Sequence, residues 1–289
     1  MKSLCLRAFA KANLSLNITG RSGGLHTLDS VMTTVDAFDT VTVTERSDGR
    51  ICVRFVNADI DPVDNTAYKA AALVCDRLKK GVDISIEKGI PAAAGLGGSS
   101  ADGAAVLRAL DVLYRLPTHG IDMRKMALDV GSDVPFMLTG GTARVTGRGE
   151  ELFFFRNKLP LFAVGLMSGT VSTAECYKTF DALGSGGAPT DNDRLCGLLL
   201  DGDKTAIELF GNALGDAAER LEPRIKTDAD KLRACGAATC LTGSGGMTLG
   251  WFTDISLFAE CAKKLGGEKG FRVFAAADIG VRHEWINRE

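Results

Sequence analysis

A stretch rich in glycine and serine, PAAAGLGGSSADGAA at residues 91–105, has the composition of a loop that holds an anion such as phosphate. The residues before it, 82–86, alternate between apolar and polar, which predicts a strand, and apolar residues at helical spacing predict a helix over 100–116. A helix that begins in such a loop points its free N–H groups and the positive end of its dipole into the loop. Glycines let the backbone approach the anion closely. A tight turn with Ser99 or Ser100 as the helix cap fits the same residues.

The loop belongs to neither of two well-known phosphate motifs. It is not followed by the Gly-Lys-Ser/Thr of a Walker loop, and it lacks a G-x-G-x-x-G pattern with an acidic residue placed for a ribose. A phosphate site here would therefore be of another kind.

Two charged residues, Lys11 and Asp133, stand in otherwise apolar surroundings, within AKANLSLNITG and GSDVPFMLTGG. A charge buried among apolar residues is costly unless it is paired or used. A lysine beside an aspartate suits proton transfer and charge stabilisation, but a structural ion pair or exposure at a strand edge explains the same pattern. A second glycine–serine turn, LTGSGGMTLG at residues 241–250, taken alone indicates a hairpin or a bulge.

The composition limits the kinds of partner that we expect. The chain has 289 residues, of which 45% are hydrophobic and 24% are charged, so it can bury a sizeable core. Its formal charge of −2 argues against binding to nucleic acid or to an anionic membrane. The eight cysteines form no C-x-x-C pair and the chain has only three histidines, which predicts reduced, mostly buried thiols. Because the sequence lacks a long apolar run and begins like a strand, we expect a cytoplasmic protein.

The order of strand-like and helix-like segments predicts an α+β protein with two domains, residues 1–155 and 156–289. The segment DALGSGGAPTDND at 181–193 has the composition of a loop. The predicted strands are 4–18, 40–44, 51–55, 82–86, 159–167, 239–241, 247–252 and 272–276. The predicted helices are 65–80, 100–116, 203–221, 226–234 and 256–265.

In this order and spacing, the motifs resemble those of the GHMP small-molecule kinases. The three signature motifs of that family are similar to AKANLSLN, PAAAGLGGSSADGAA and LTGSGGMT, and GSDVPF carries the family's acidic residue. The resemblance covers nearly the whole chain. It implies a two-domain α+β fold, with an N-terminal domain like domain 2 of ribosomal protein S5 and a ferredoxin-like C-terminal domain. It also implies a kinase that uses ATP and Mg²⁺. We expect a monomer or a homodimer.

The residues between the motifs resemble one branch of this family. HTLDSVMTTVD, DNTAYKAA, GRGEEL and VSTAECYKTFD are similar to kinases that phosphorylate the 2-hydroxyl of a methylerythritol bearing a cytidyl diphosphate, in isoprenoid synthesis without mevalonate. A small cytidyl diphosphate compound is therefore the expected substrate. The alternatives are another GHMP kinase, of the mevalonate or homoserine type, and a non-catalytic nucleotide-binding protein of the same fold. A base pocket made by His26 and Tyr177 would distinguish a kinase of the cytidyl compound from another GHMP kinase. The retained Lys11 and Asp133 argue against a non-catalytic nucleotide-binding protein.

The resemblance implies a role for each matching residue. Asp133 would direct the proton of the substrate hydroxyl, while Lys11 would keep Asp133 ionised and neutralise charge on the transferred phosphoryl group. The nucleotide would be bound by Asn65, Lys88, Pro91, Gly95, Leu96, Gly97, Gly98, Ser99, Ser100 and Ala101, with Ser100 near Mg²⁺. The substrate would be bound by Asn13, Leu25, His26, Thr173, Tyr177, Gly243, Ser244 and Gly245, with His26 on the edge of the cytosine and Tyr177 on its face.

Some positions depart from the family's pattern. Ser99 stands where a third consecutive glycine is usual, and Gly246 stands where a proline is usual. The loop RSGGLH, which ends at His26, is one residue shorter than usual and has Leu25 in place of a tyrosine that stacks on the cytosine in the family. We therefore expect Tyr177 to provide most of the stacking. An exposed His26 and a core Tyr177 are the structural alternatives.

Overall fold

The computed structural model describes residues 2–58, 65–184 and 186–287. Helices and sheet are mixed along the chain, so the α+β prediction is confirmed. The strands are β1 (Ser3–Ser22), β2 (Leu25–Arg46), β3 (Ile51–Phe55), β4 (Gly81–Glu87), β5 (Thr142–Gly147), β6 (Glu151–Phe155), β7 (Phe162–Met167), β8 (Gly211–Asn212), β9 (Ala238–Leu241), β10 (Met247–Phe252), β11 (Arg272–Ala277) and β12 (Val281–Asn287). The helices are α1 (Thr66–Leu78), α2 (Gly98–Tyr114), α3 (Met123–Val130), α4 (Val134–Thr139), α5 (Thr173–Leu183), α6 (Asn192–Asp201), α7 (Gly215–Leu221), α8 (Arg224–Arg233) and α9 (Ile255–Leu265).

A long hairpin of β1 and β2 forms the centre of the first half. Strand β1 is buried along most of its length, because β2 and β12 flank it and α2 packs across it. Strand β4 pairs antiparallel with β2, and β3 runs parallel to β4 with α1 as the connection between them. The buried face of α2 is rich in alanine, which lets the helix approach the sheet closely and brings its first turn near β1.

The second half contains an antiparallel sheet in the order β11-β7-β10-β9. Along the chain its elements follow a β-α-β-β-α-β pattern, with helices between β7 and β9 and with α9 between β10 and β11. This is the arrangement of a ferredoxin-like domain, as the resemblance implies. Helices α8 and α9 pack on this sheet.

The two halves share hydrogen-bonded strands. Residues 276–277 of β11 pair with residues 34–35 of β2, which joins the two sheets edge to edge. The last strand, β12, returns to the first half and pairs antiparallel with β1. The division at residues 155 and 156 stays a prediction.

Two of the predicted segments are wrong in part. Residues 203–221 do not form one helix: they contain a 3₁₀ turn (Lys204–Leu209), strand β8 and helix α7. The interruption has a clear cause, because β8 pairs with β1 and the Asn212 side chain donates hydrogen bonds to the carbonyls of Leu241 and Gly243. The loop predicted at 181–193 begins later, since α5 continues to Leu183; Ser185 lies outside the described residues.

The cysteines agree with the prediction that most are buried. Five of them, Cys5, Cys75, Cys176, Cys240 and Cys261, are buried. Among the helices that the structure describes, none has the length and apolar character needed to cross a membrane.

Candidate active site

The glycine–serine loop connects β4 to α2, as the sequence predicts. Helix α2 begins at Gly98 and its N-cap is Gly97, so a cap at Ser99 or Ser100 is wrong. The Ala101 N–H donates to the Gly97 carbonyl at 2.9 Å, which is the first hydrogen bond of the helix. The N–H groups of residues 98–100 precede that bond and therefore need acceptors from outside the helix. Residues 97–100 line a cavity of about 530 Å³, here called the central cavity.

The central cavity brings together most of the residues that the resemblance indicates. Those that line it are Lys11, Asn13, Asn65, Lys88, Pro91, Gly95, Leu96, Gly97, Gly98, Ser99, Ser100, Asp133, Thr173, Tyr177, Gly243 and Ser244. Four predicted residues lie outside this lining, as it is formed by the residues that the structure describes: Ala101, Gly245, Leu25 and His26. Ala101 is buried within α2, and Leu25 and His26 belong to the tip of the β1–β2 hairpin.

Lys11, on β1, and Asp133, at the start of α4, form an ion pair at this cavity. Their Nζ and Oδ2 atoms are 3.8 Å apart, and their side chains are 5% and 27% exposed. Burial lowers the pKa of Lys11, and the Asp133 carboxylate offsets part of that effect. The Nζ atom also donates a hydrogen bond to Asn13 Oδ1 at 2.7 Å. The cavity therefore contains an accessible carboxylate with a cation fixed beside it.

Hydrogen bonds connect the three motifs directly. Asn13 Oδ1 accepts from the Gly243 N–H at 2.9 Å as well as from Lys11. Thr242 Oγ1 donates to the Gly95 carbonyl at 3.1 Å, and the Asn13 N–H donates to Thr242 Oγ1 at 3.3 Å. These bonds fix the first, second and third motifs around one cavity. Thr242 was missed as a site residue, although it lies within the quoted LTGSGGMT.

Two glycines allow the second and third motifs to approach each other. Gly95 has φ +75°, and a Cβ at this residue would lie 2.0 Å from the Thr242 carbonyl oxygen. Gly246 has φ +101°, and a Cβ there would lie 2.1 Å from the Ala93 carbonyl oxygen. Proline has φ fixed near about −65°, so it cannot occupy residue 246 in this backbone. That conformation explains one departure from the family's pattern.

We expect Gly95→Ala to weaken nucleotide binding by about tenfold to 100-fold, since the new Cβ must push the loop away from the third motif. Isothermal titration with MgADP measures the loss. Gly120→Ala is the matched control, because Gly120 also has a positive φ (+66°) but a Cβ there meets nothing within 4 Å. Equal losses of affinity in the two variants would show that the close approach at Gly95 does not matter.

Lys88, directly after β4, is held by two carboxylates. Its Nζ donates to Asp39 Oδ2 and, at 2.7 Å, to Asp102 Oδ2. Asp39 also accepts from the N–H groups of Gly89 and Ile90. Burial raises the pKa of Asp102 to about 8, although Lys88 opposes that shift. Sequence reasoning missed Asp39 and Asp102, yet each is an acidic residue in an apolar segment, which is the signal that singled out the ion pair of the central cavity.

A second cavity, of about 470 Å³ and here called the side cavity, is lined by His26 and by glycines that follow α5. The His26 ring stacks on Tyr177, with centroids 4.6 Å apart and an interplanar angle of 29°. His26 Nε2 lies 2.8 Å from Asp181 Oδ1. Burial raises the pKa of Tyr177 to about 12. Because Tyr177 lines the central cavity, this pair of rings borders both cavities.

Comparison with known proteins places the chain in a family. The model of the GHMP kinases N terminal domain matches residues 65–141. A curated protein of Exiguobacterium sibiricum named 4-diphosphocytidyl-2-C-methyl-D-erythritol kinase is 37% identical, over 97% of this chain and 100% of its own length. The chain belongs to the 4-diphosphocytidyl-2-C-methyl-D-erythritol kinase family.

Solved structures agree with this family. The crystal structure of a 4-(cytidine 5'-diphospho)-2C-methyl-D-erythritol kinase has a TM-score of 0.78 and 29% identity, covering 96% of this chain and 99% of that one. A homoserine kinase from Cytophaga hutchinsonii has a TM-score of 0.73 at 18% identity, covering 98% and 97% of the two chains, which shows a shared fold alone. The GHMP kinase fold is therefore confirmed.

Leu25 is not where the resemblance to the 4-diphosphocytidyl-2-C-methyl-D-erythritol kinase family implies. Leu25 is 58% exposed at the hairpin tip. Among the described residues that line the two cavities, Leu25 does not occur. The structure therefore does not bring Leu25 together with the other predicted substrate residues. Phe180 lines the side cavity instead, with its ring 6.4 Å from that of His26 and nearly perpendicular to it.

Proposed function

We propose that this protein transfers the γ-phosphoryl group of ATP to the 2-hydroxyl of 4-diphosphocytidyl-2-C-methyl-D-erythritol, a step in the synthesis of isoprenoid precursors. The observation that carries the proposal is the Lys11–Asp133 ion pair in the same cavity as the N-terminus of α2. Its family supports the choice of substrate, since relatives such as the protein of Exiguobacterium sibiricum have that name.

The chemistry follows from this arrangement. Asp133 accepts the proton of the substrate hydroxyl while that oxygen forms a bond to the γ-phosphorus and the bond to the β-phosphate oxygen breaks. Lys11 stabilises ionised Asp133 and the negative charge of the transferred group. The N–H groups at the start of α2 bind the phosphates that remain on ADP. Phosphoryl transfer depends mainly on positioning and charge stabilisation, and these residues supply both.

Mg²⁺ fits the oxygen donors of the central cavity. Ser100, whose hydroxyl is such a donor, lines it, and hard oxygen ligands together with substrate phosphates are what Mg²⁺ prefers. Within the described ranges, no group of three His, Cys, Asp or Glu side chains is arranged to hold a metal on its own. We therefore infer that the ion is bound together with the nucleotide, where it would shield phosphate charge. The cytoplasmic location and the monomeric or dimeric state stay predictions.

The cytidyl end of the substrate would extend from the central cavity toward the side cavity. Tyr177 and His26 border this route, and Thr173 and Ser244, whose hydroxyls are 2.8 Å apart, also line the central cavity. One face of Tyr177 is covered by His26, so the base would stack on the face toward the central cavity. Asn13 would lie near the methylerythritol portion, beside the ion pair.

Tyr177→Ala is expected to raise KM for the cytidyl substrate by about tenfold or more, because stacking of a base on an aromatic ring is worth roughly 1 to 3 kcal/mol. Turnover should fall less, since the base lies away from the reacting hydroxyl. Steady-state kinetics measure both quantities. The conservative variant Tyr177→Phe keeps the ring and should recover most of the affinity.

In the same assay His26→Ala should reduce the preference for cytidyl over uridyl substrate. If neither KM nor the preference changes, the base is bound elsewhere.

The test of the proposed function is whether ADP release requires the alcohol. Purified protein is incubated with MgATP, with and without 4-diphosphocytidyl-2-C-methyl-D-erythritol, and ADP is measured by a coupled assay. We expect release only with the alcohol, together with a product that has gained one phosphate by mass spectrometry. Rapid ATP hydrolysis without the alcohol would contradict a kinase of this type.

A further inference from the structure

Three charged side chains meet next to the first turn of α2, and none of them belongs to the Lys11–Asp133 ion pair. Lys88 Nζ bonds to Asp39 of β2 and to Asp102 of α2, and these three residues are here called the Lys88 cluster. A Cβ placed on Gly98, the first residue of α2, would lie 3.4 Å from Lys88 Nζ. The ammonium group is therefore packed against the backbone that begins the helix.

The charge balance of the Lys88 cluster differs from that of a phosphate site. One ammonium group faces two carboxyl groups, so the cluster is negative when all are ionised and neutral when Asp102 keeps a proton. Burial raises the pKa of Asp102, which favours the neutral state of the cluster, although Lys88 opposes that shift. In neither state does the cluster offer net positive charge to the nucleotide. The Lys88 side chain is also only 13% exposed, and two of its three hydrogens are used within the cluster.

The same bonds connect three separate elements. Asp39 accepts hydrogen bonds from Gly89 at 2.7 Å and Ile90 at 2.8 Å, the residues that enter the loop. Asp102 lies in the second turn of α2, and in the part of the chain that the structure describes its Oδ1 atom is buried without a hydrogen-bond partner. Lys88 thus connects α2 to β2 through its two ion pairs, at the point where the loop begins.

We propose that Lys88, held by Asp39 and Asp102, is a positioning residue that fixes the glycine–serine loop for the nucleotide phosphates and does not itself bind them. This replaces the nucleotide-contact role expected for Lys88. This proposal depends on the proposed function in one respect, because it takes the glycine–serine loop as the site that binds the phosphates. If Lys88 were a phosphate ligand instead, its carboxylate partners would compete with the nucleotide, and removing one of them would tighten binding.

The experiment is a double-mutant cycle read by MgADP titration and by thermal melting, with no alcohol substrate present. Lys88→Met and Asp39→Asn should each weaken MgADP binding by about tenfold or more, because either change breaks the ion pair between Lys88 and Asp39. The double variant should lose about as much as one single variant, since both residues act through the same bond. Asp102→Asn, which leaves Lys88 on Asp39, should weaken binding by about twofold to fivefold. Lys69→Met, an exposed lysine of α1, is the matched control.

Tighter MgADP binding in Asp39→Asn or Asp102→Asn would overturn the proposal, because it would mean that a freed Lys88 serves the phosphates. Losses that multiply in the double variant would also overturn it. If Lys88→Met or Asp39→Asn fails to fold, Asp102→Asn still decides the direction of the effect. Failure of the wild-type protein to bind MgADP would contradict the kinase function itself. Non-additive changes of the melting temperature would still support the Lys88 cluster as a connection between α2 and β2.

Discussion

Asp133→Asn is expected to lower turnover by about two to four orders of magnitude, the range for loss of a general base. Asparagine keeps the size and polarity of the side chain but cannot accept the proton of the substrate hydroxyl. MgADP affinity should change little, because in the proposed mechanism the phosphates bind to the N–H groups at the start of α2 and not to Asp133. Single-turnover kinetics and MgADP titration measure the two effects separately.

A purely structural ion pair would give a different result for the same variant. Turnover would stay near the wild-type value, and the melting temperature would fall because Lys11 would lose its partner. Asp129→Asn is the matched control, since Asp129 is an exposed carboxylate on the neighbouring helix α3. Near wild-type turnover in Asp133→Asn would therefore contradict the proposed role of the pair.

Lys11→Met is the second change with a large expected effect, about two to three orders of magnitude in turnover, as for loss of one preorganised charge-stabilising donor. Methionine keeps most of the buried stem, so the cavity wall should stay in place. Because burial lowers the pKa of Lys11, the ionised lysine costs stability, and its removal should not lower the melting temperature. A large fall in melting temperature with turnover retained would contradict this.

The pH dependence of the wild-type protein follows from the same shift. Activity that needs protonated Lys11 is complete below the pKa of Lys11 in the folded protein and is lost as pH rises through it. Since burial lowers that pKa, the loss should begin at a lower pH than an exposed lysine would give. The profile of kcat/KM should show this alkaline limb in the wild type and lack it in Lys11→Met.

The sequence was most informative where a local pattern has few physical explanations. Glycines between a strand and a helix predict a phosphate loop, and Lys11 and Asp133 attract attention because a charge in an apolar segment needs a partner. The same criterion applies to Asp39 and Asp102, but nothing local shows that they meet Lys88, which comes from a third element.

Other features depend on contacts that local periodicity does not contain. The helix predicted at 203–221 is interrupted because β8 finds a partner in β1, nearly two hundred residues earlier in the chain. Pairing of β12 with β1 likewise needs the whole fold. The position of Leu25 outside both cavities depends on where the β1–β2 hairpin ends relative to them, and the residue type alone does not reveal it.

The most direct test of substrate choice offers the protein 4-diphosphocytidyl-2-C-methyl-D-erythritol, mevalonate and homoserine side by side with MgATP, and measures ADP release. We expect kcat/KM for the cytidyl compound to exceed that for the other two alcohols by about 100-fold or more, since only this compound can use the pocket at Tyr177 and His26. Equal or faster turnover of mevalonate or homoserine would contradict the proposed substrate and favour another GHMP kinase activity.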